Sequence, residues 1–389
     1  MVEKGQPGAE RPEKTLSDPA LIFTAMKEGA GMKAGVFMMP SHPPERDVYA
    51  GHMWDLKHLE LCDQLGFHEA WVGEHFTAPW EPNPAPDLLL AQAILKTKNI
   101  KLCPGAHLLP YHHPAELAHR VAFLDHMAQG RIMLGVGTSG LPSDWKLFNV
   151  DGATGENRKM TLEALDIMVK LWESTEPFEY KGQYWTVNRI DTMLDTLKYH
   201  LRPFQKPYPP IGIAGLTPRS DTLKFAGERG FMPLSISLSG SYLKTHWQAV
   251  VDGAEKAGRT PDRKEWRISR EVYIAETDKE ARDKAINGML GRVYREYLLP
   301  LFKSFGMVSL FKHHPEVPDS DVTIEYLADY CWLVGSPKTA AEKLGQMYQE
   351  TGGFGCLLVL TFDQSDNDKG WADSQGMLMK EVIPQFAGM

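Results

Sequence analysis

Short apolar runs alternate with amphipathic segments along the chain from Lys33 onward. The apolar runs are hydrophobic almost without interruption, as is typical of strands that are covered on both faces. In the segments between them, apolar residues recur three and four positions apart, as at Leu162, Leu165 and Val169, and this spacing keeps them on one face of a helix. The alternation therefore predicts parallel strands, each joined to the next by a helix.

The alternation repeats eight times, which predicts a closed α/β barrel, the (β/α)8 or TIM-barrel fold. The predicted strands cover residues 34–39, 69–73, 100–108, 131–137, 210–215, 231–237, 266–275 and 355–361. Two connections, residues 175–209 and 291–332, are longer than a barrel requires, and we expect them to be insertions after strands four and seven. Residues 1–32 are rich in charge, proline and glycine. The sequence thus predicts a polar N-terminal extension over residues 1–32 and one barrel domain over residues 33–389.

Charge and cysteine usage narrow the range of partners. The 42 basic and 50 acidic residues give a net charge of −8 without long blocks of one sign, so we expect neither nucleic acid nor an anionic membrane as a partner. No apolar run approaches the roughly 18 residues that cross a bilayer. The four cysteines are far apart, at positions 62, 103, 331 and 356, which argues against a zinc ribbon, a redox motif or a disulfide framework. We expect a cytoplasmic protein with a small-molecule ligand.

Residues 135–140 contain the Gly-x-Gly-x-x-Gly pattern of dinucleotide-binding folds. In such a fold the third glycine opens a helix, and an acidic residue follows about 20 positions later at the end of a strand. Here Gly140 is followed by Leu141, Pro142 and a loop-forming sequence, and Glu156 precedes a helix. We interpret the segment as a strand that ends in a loop of small residues, where a ligand can approach the backbone.

In an α/β barrel the chemistry takes place at the carboxyl ends of the strands. The second predicted strand ends in Glu74 and His75, and the next three end in small or hydroxyl-bearing residues. Glycine backbone and hydroxyl groups beside a histidine favour a phosphorylated planar cofactor. Five histidines lie between positions 107 and 126, but no acidic cluster accompanies them in the sequence, so we expect no catalytic metal.

Several sequence runs carry a resemblance to a known family. They are Lys33-Ala34-Gly35-Val36-Phe37, Trp71-Val72-Gly73-Glu74-His75-Phe76, the segment 113–131, Ala214-Gly215, Ala226-Gly227-Glu228-Arg229-Gly230 and Val334-Gly335-Ser336-Pro337. From Lys33 to the C-terminus the chain resembles the bacterial-luciferase-like flavin-dependent monooxygenases. Within that family it most resembles the diketocamphane monooxygenases, through the runs at 97–101, 105–110, 305–307 and 333–337.

The resemblance implies an enzyme that uses reduced FMN from a separate flavin reductase, together with O2, to oxygenate a small hydrophobic substrate. The expected reaction is Baeyer–Villiger oxidation of a cyclic ketone to a lactone, carried out by a homodimer. Three alternatives stay open: hydroxylation or epoxidation of a terpene-like substrate, a deazaflavin-dependent oxidoreductase, and a flavin-binding protein without turnover. The light-emitting members carry an arginine where this chain has Thr138, which argues against light emission.

The resemblance also implies roles for individual residues. His75 matches the active-site histidine of the family and is expected to manage a proton, and Glu74 is expected to orient or neutralise its ring. The expected FMN-binding residues are Gly105, Ala106, Thr138, Ser139, Ala214, Gly215, Leu216, Arg219 and Ser220. Hydroxyl groups and backbone N–H groups at the start of a helix meet a phosphate dianion favourably. The expected substrate-binding residues are Phe76, Trp80, Tyr111 and Trp145, together with the segment 297–302.

Each of these residues also has a simpler interpretation. His75 fits a core histidine that is satisfied by Glu74, and the peptide between Gly105 and Ala106 is either an ordinary strand end or the tight, often cis, peptide that the family packs against the flavin. Ser220 or Thr217 fits an ordinary helix cap. Aromatic residues at such positions are commonly part of a core or an interface. Asp144 corresponds to an acid that the family keeps near the flavin loop, and it also fits a turn cap.

Overall fold

The computed structural model describes residues 31–190, 200–236 and 240–388. Nearly all of the predicted N-terminal extension therefore lies outside the described residues. The strands are β1 (Lys33–Met38), β2 (Glu69–Val72), β3 (Lys101–Pro104), β4 (His107–Leu108), β5 (Leu134–Gly137), β6 (Phe178–Lys181), β7 (Thr186–Arg189), β8 (Ile211–Gly215), β9 (Met232–Ser235), β10 (Arg267–Ile274), β11 (Leu333–Gly335) and β12 (Cys356–Thr361).

The helices surround these strands. They are α1 (Val48–Leu65), α2 (Pro86–Lys96), α3 (Pro114–Met127), α4 (Pro142–Phe148), α5 (Glu156–Glu173), α6 (Asp221–Arg229), α7 (Gly240–Lys256), α8 (Asp278–Asn287), α9 (Met289–Val293), α10 (Leu299–Ser304), α11 (Ile324–Tyr330), α12 (Pro337–Thr351) and α13 (Asp368–Met377). Segments Tyr294–Leu298 and Leu378–Val382 are π-helical. Among the described residues, no helix is both long and apolar enough to cross a membrane.

The main sheet closes into a barrel. Its parallel strands follow the order β3-β2-β1-β12-β10-β9-β8-β5-β4. Leu102 of β3 exchanges backbone hydrogen bonds of 2.9 Å with Arg131 and Met133 just before β5, which joins the two ends of the sheet. Because β3 and β4 together form one interrupted third strand, the ring has eight positions. The predicted barrel is confirmed, and each predicted strand overlaps one of its positions.

Trp71 fills the interior of the barrel. A Cβ atom added at Gly105 or Gly135 would lie 2.8 or 2.9 Å from its side chain, and one at Gly212 would overlap it. The indole N–H donates to Glu69 at 2.9 Å. Large and small residues on neighbouring strands thus share the limited space inside the barrel. This packing leaves the carboxyl ends of the strands as the open end.

Both long connections carry structure of their own. The first contains the antiparallel hairpin β6–β7, and residues 191–199 of it lie outside the described residues. The second contains α9, a π-helical turn, α10 and α11, and it leads into β11, which pairs in parallel with the end of β10. The second connection also reaches the carboxyl ends of the barrel strands, because Tyr297 contacts the loop that follows β2.

Candidate active site

The loops that follow β2, β4 and β5 meet at one end of the barrel. His75 in the first loop lies near Asp144 in α4, and Tyr111 after β4 donates a hydrogen bond of 2.8 Å to Ser139 after β5. These contacts bring together side chains from three consecutive units of the barrel. The predicted location of the site, at the carboxyl ends of the strands, agrees with this geometry.

His75 lies between two carboxylates. Its side chain is 20% exposed, with Nε2 3.4 Å from Glu81 Oε2 and Nδ1 3.5 Å from Asp144 Oδ2. Burial alone would lower the pKa of His75, but attraction by Glu81 and Asp144 outweighs it and raises the pKa above its ordinary value. The site therefore favours a charged imidazolium that is still accessible to a ligand.

Asp144 is buried in the first turn of α4. Its Oδ1 accepts hydrogen bonds from the backbone N–H of Thr77 at 2.9 Å and from the Thr77 hydroxyl at 2.5 Å. Burial would raise the pKa of Asp144, but the nearby His75 ring and the hydrogen bonds from Thr77 hold it below the usual value. Asp144 thus does more than cap a turn, because it links α4 to the loop that carries His75.

Glu74 contacts other side chains than His75, so the structure does not support an orienting role, although its charge is among those that raise the pKa of His75. Its two carboxylate oxygens contact His107 Nδ1 at 2.7 Å and His112 Nε2 at 2.8 Å. Adjacent residues of an extended chain point to opposite sides, so Glu74 and His75 leave β2 in different directions. Burial would raise the pKa of Glu74, but the two imidazoles lower it.

The cluster of Glu74, His107 and His112 was not visible in the sequence, where no acidic cluster accompanies the histidines. The three side chains offer polar atoms within 4.8 Å of one another, close enough for a metal ion to be considered. Each oxygen of the carboxylate already contacts one imidazole nitrogen at hydrogen-bond distance. Hydrogen bonding therefore accounts for the cluster, and the absence of a catalytic metal stays a prediction.

The third strand is interrupted at the predicted flavin contact. The peptide bond between Gly105 and Ala106 is cis, as the resemblance to the family suggested. Ala106 is partly exposed, and the next residue, His107, is fully buried with no hydrogen-bond partner for Nε2 among the described residues. A buried polar atom without a partner is uncommon and fits a site that is completed by a ligand.

Thr138 and Ser139 form the loop after β5. The side-chain amide of Asn157 donates to the carbonyl oxygens of Thr138 at 2.9 Å and Ser139 at 3.0 Å. Ser139 has a φ of 62°, and its carbonyl also accepts from the indole N–H of Trp145 at 3.3 Å. Trp145, predicted to contact substrate, therefore supports this loop. Asn157 was missed because a polar residue in the first turn of a helix gives no distinctive signal.

The loop after β8 leads into α6. Gly215 leaves space that a side chain would fill, because an added Cβ would lie 2.5 Å from Leu223 and 2.8 Å from Ser220 Oγ. Ser220 is buried and precedes α6, but its hydroxyl contacts Thr222 at 2.8 Å instead of capping the helix. Ser220 therefore leaves the first N–H groups of α6 uncapped within the part of the chain that the structure describes. This geometry fits an anion better than the ordinary cap that the sequence also allowed.

The remaining predicted residues of this loop surround the helix start. The carbonyl of Ala214 accepts a hydrogen bond of 2.6 Å from Thr222, and Leu216 is half-buried. Arg219 is exposed with a φ of 49°, and its backbone N–H donates to Thr245 at 3.2 Å. Because β5 and β8 are neighbours in the barrel, this loop and the Thr138–Ser139 loop lie side by side.

The predicted substrate-binding aromatics separate into two groups. Phe76 and Tyr111 pack with Phe148 of α4, at ring-centroid distances of 4.6 and 4.2 Å from it. Phe148 was missed because its short helix shows no clear periodicity. Trp80 is buried elsewhere, stacked on Tyr297 at 6.1 Å. The structure therefore joins Phe76 and Tyr111 but not Trp80 in one apolar cluster.

A second buried cluster lies where β1 and β12 end. His42 contacts Asp55 at 3.1 Å and Asp363 at 2.9 Å, and Arg46 contacts Asp363 at 2.8 Å. His42 and Asp55 line a cavity of about 530 Å³, which Asn83 also borders. The backbone carbonyl of Asn83 accepts a hydrogen bond from the N–H of His75 at 3.0 Å. Sequence analysis did not find this cluster, because its members are up to 321 positions apart.

Comparison with known proteins finds monooxygenases that are similar to this chain over most of its length. The chain is 34% identical over 372 residues to 3,6-diketocamphane 1,6-monooxygenase of Pseudomonas putida, which covers 91% of this chain and 98% of the relative. It is 30% identical over 359 residues to limonene 1,2-monooxygenase of Rhodococcus erythropolis, covering 91% of this chain and 86% of that protein.

Comparison with solved structures finds the same kind of protein. The oxygenating constituent of 3,6-diketocamphane monooxygenase from Pseudomonas putida, a type II Baeyer–Villiger monooxygenase in complex with FMN, superposes with a TM-score of 0.87 at 35% identity, over 92% of this chain and 99% of that one. An F420-dependent secondary alcohol dehydrogenase shares the fold at 19% identity and a TM-score of 0.67. The luciferase-like monooxygenase family matches residues 32–354. The chain therefore belongs to the luciferase-like monooxygenase family.

Proposed function

We propose that this chain is the oxygenating component of a two-component, FMN-dependent Baeyer–Villiger monooxygenase that converts a small cyclic ketone to a lactone. Reduced FMN would come from a separate flavin reductase, and O2 would be the oxidant. The observation that carries the proposal is a histidine held between two carboxylates, in the loop that follows the second barrel strand. The diketocamphane relatives support the choice of a ketone.

The residues at the open end fit FMN. Gly105 and Ala106 would face the ring system, and Thr138, Ser139 and the loop with Ala214, Gly215, Leu216, Arg219 and Ser220 would hold the phosphate. The N-terminus of α6, which the Ser220 side chain does not cap, supports this assignment, because backbone N–H groups and the helix dipole favour an anion there. When bound, reduced FMN supplies the electrons that activate O2.

Side chains near the proposed flavin site would stabilise charge, transfer a proton and exclude water. His75, held charged by Glu81 and Asp144, would stabilise with its positive charge the oxygen on which negative charge develops and would manage the proton. Phe76, Tyr111 and Phe148 would provide the apolar wall for a ketone and exclude water.

Oxygenation of a terpene-like substrate is a second candidate, and the similarity to limonene 1,2-monooxygenase supports it. The deazaflavin alternative is less supported, because the F420-dependent neighbour shares only the fold.

We also propose that the enzyme is a homodimer that forms through α1, α2 and α3. These helices carry large apolar side chains on the surface: Val48, Tyr49, Met53, Leu88, Leu95, Phe123 and Met127. The helices are neighbours, since His52 contacts Gln92 at 3.2 Å and Arg120 contacts Asp87 at 2.7 Å. An apolar patch of this kind marks an interaction surface.

We further propose a cytoplasmic location, in keeping with four free cysteines. Residues 1–32 are proposed to be a polar extension outside the catalytic domain, in keeping with a family match that begins at residue 32.

The test is an oxygenation assay with labelled oxygen. The chain is mixed anaerobically with photoreduced FMN and a panel of cyclic ketones and terpenes, ¹⁸O2 is added, and products are identified by mass spectrometry. We expect a lactone with one ¹⁸O atom from at least one ketone. A terpene product without a lactone would favour the second candidate. Failure to bind reduced FMN would refute both, and binding of a reduced deazaflavin instead would support the remaining alternative.

A further inference from the structure

We propose that Tyr297 and Glu81 are positioning residues for His75, so that the long connection between the seventh and eighth barrel strands takes part in the active site. The inference rests on the proposed function of His75. It extends that function to a residue 216 positions from Glu81 in the sequence.

Glu81 links the two aromatic side chains through one oxygen. Its Oε2 lies 3.4 Å from His75 Nε2 and accepts a hydrogen bond of 3.1 Å from the Tyr297 hydroxyl. Glu81 and Tyr297 are buried, at 7% and 9% exposure. A buried carboxylate that is held by a hydroxyl on one side cannot turn freely, so the hydroxyl determines where the carboxylate meets the imidazole.

The helix that carries Tyr297 is irregular at this residue. Residues Tyr294–Leu298 form a π-helical turn, in which the N–H of Leu299 donates to the carbonyl of Tyr294. Pro300 follows directly, and a proline ring in a regular helix would clash with the carbonyl four residues earlier and cannot donate to it. π-Helical turns are rare in proteins, and many of those that occur lie at functional sites.

The Tyr297 ring is itself held in place. It stacks on Trp80 with an interplanar angle of 10°, and Trp80 belongs to the same loop as His75 and Glu81. Trp80 therefore contributes to the site by supporting Tyr297.

The charged groups around His75 are Glu81 at Nε2, Asp144 at Nδ1 and the adjacent Glu74, whose oxygens contact His107 and His112. Asp144 is fixed by Thr77. Tyr297 fixes Glu81 in the same way, by a hydrogen bond from its hydroxyl. The imidazolium thus faces a carboxylate at each ring nitrogen, and a hydrogen bond from a further residue fixes each carboxylate.

The first test uses the protein without flavin or substrate. The pKa of His75 is measured by NMR of ¹⁵N-labelled histidine rings in the unmodified chain and in Glu81→Gln, Tyr297→Phe and the double variant. Glu81→Gln should lower the pKa of His75 by about one pH unit, because it removes one neighbouring negative charge. Tyr297→Phe should shift the His75 ring signals, and in the Glu81→Gln background it should shift them no further.

The second test measures lactone formation. Glu81→Gln and Tyr297→Phe should each lower kcat about tenfold with little change in KM for the ketone, since the first removes the charge that faces the imidazolium and the second removes the hydrogen bond that fixes the carboxylate. The double variant should be no slower than Glu81→Gln alone. Tyr294→Phe is the matched control, because it removes another buried hydroxyl–carboxylate contact, to Glu271, from the same turn without touching His75.

Two results would overturn the inference. One is an unchanged His75 pKa in Glu81→Gln. The other is a Tyr297→Phe variant that behaves like Tyr294→Phe, with altered thermal stability but unaltered His75 signals and kcat. Because the NMR experiment needs neither FMN nor ketone, a chain that shows the predicted shifts but oxygenates no ketone would refute the proposed function and still support the positioning of His75.

Discussion

At the scale of single residues, the charge of His75 results from a competition between burial and two carboxylates. Burial alone would make the ring neutral, but Glu81 and Asp144 flank both of its nitrogens. The charged ring can stabilise negative charge on oxygen, which a neutral histidine does less well. Lactone formation should therefore decline as the pH rises through the raised pKa of His75.

Replacement of His75 tests this role. We expect His75→Ala to lower the rate of lactone formation by about 10²- to 10⁴-fold, the usual contribution of a positioned acid or base. More of the O2 consumed should appear as hydrogen peroxide. Product and peroxide are measured together under single-turnover conditions, with His113→Ala, an exposed histidine, as the control. Equal lactone yields in the two variants would rule out the assigned role.

His42 gives a prediction about stability. Burial by itself lowers the pKa of His42, but the hydrogen bonds and charges of Asp363 and Asp55 raise it from 6.5 to about 9. Because the folded-state pKa is the higher one, the stabilisation is fully present below pH 6.5 and is lost as the pH rises through about 9. The contribution to the free energy of unfolding is up to about 3 kcal/mol.

The measurement is urea-induced unfolding between pH 6 and pH 10. The unmodified chain should lose stability over this range, and His42→Gln should start less stable and lose less. Parallel pH dependence in the two chains would show that His42 is not the responsible group.

At the scale of elements, glycines allow α6 and α7 to pack closely. An added Cβ at Gly227 would overlap the carbonyl of Val250, and one at Gly253 would overlap the carbonyl of Lys224. This contact keeps α6, and with it the proposed phosphate-binding N-terminus, against its neighbour. Backbone carbonyls cannot move aside as a flexible side chain can.

We therefore expect Gly227→Ala to destabilise the protein by about 1–3 kcal/mol, as overpacking does, and to weaken binding of reduced FMN. Thermal unfolding and anaerobic FMN titration measure the two effects. Gly376→Ala is the control, because no atom lies within 4 Å of its added Cβ and its helix gains from alanine. A Gly227→Ala variant as stable as this control would contradict the close packing.

At the scale of the whole molecule, the apolar surface of α1, α2 and α3 predicts the oligomeric state. Leu88 is 66% exposed, and Leu88→Asp would place a charge in the proposed interface. We expect the variant to raise the dimer dissociation constant at least about tenfold. Light scattering during size-exclusion chromatography measures it, with Tyr330→Asp as the control on α11. A dimer of equal strength in both variants would place the interface elsewhere.

The sequence alone predicts the barrel, its eight strand positions and the place of His75 shortly after the second strand. These follow from periodicity and local order, which neighbouring residues impose on one another. The resemblance to a known family added the expected cofactor and the candidate cis peptide at Gly105–Ala106, which the structure contains.

Which side chains meet follows from the folded chain and not from the sequence pattern. Glu74 pairs with His107 and His112 instead of His75, and Glu81 pairs with Tyr297 across 216 positions. Trp145, which was expected to contact substrate, donates to the loop after β5. Such contacts depend on how barrel closure and the π-helical turn orient distant segments. That orientation results from many packing interactions between distant parts of the chain, so no local pattern of residues predicts it.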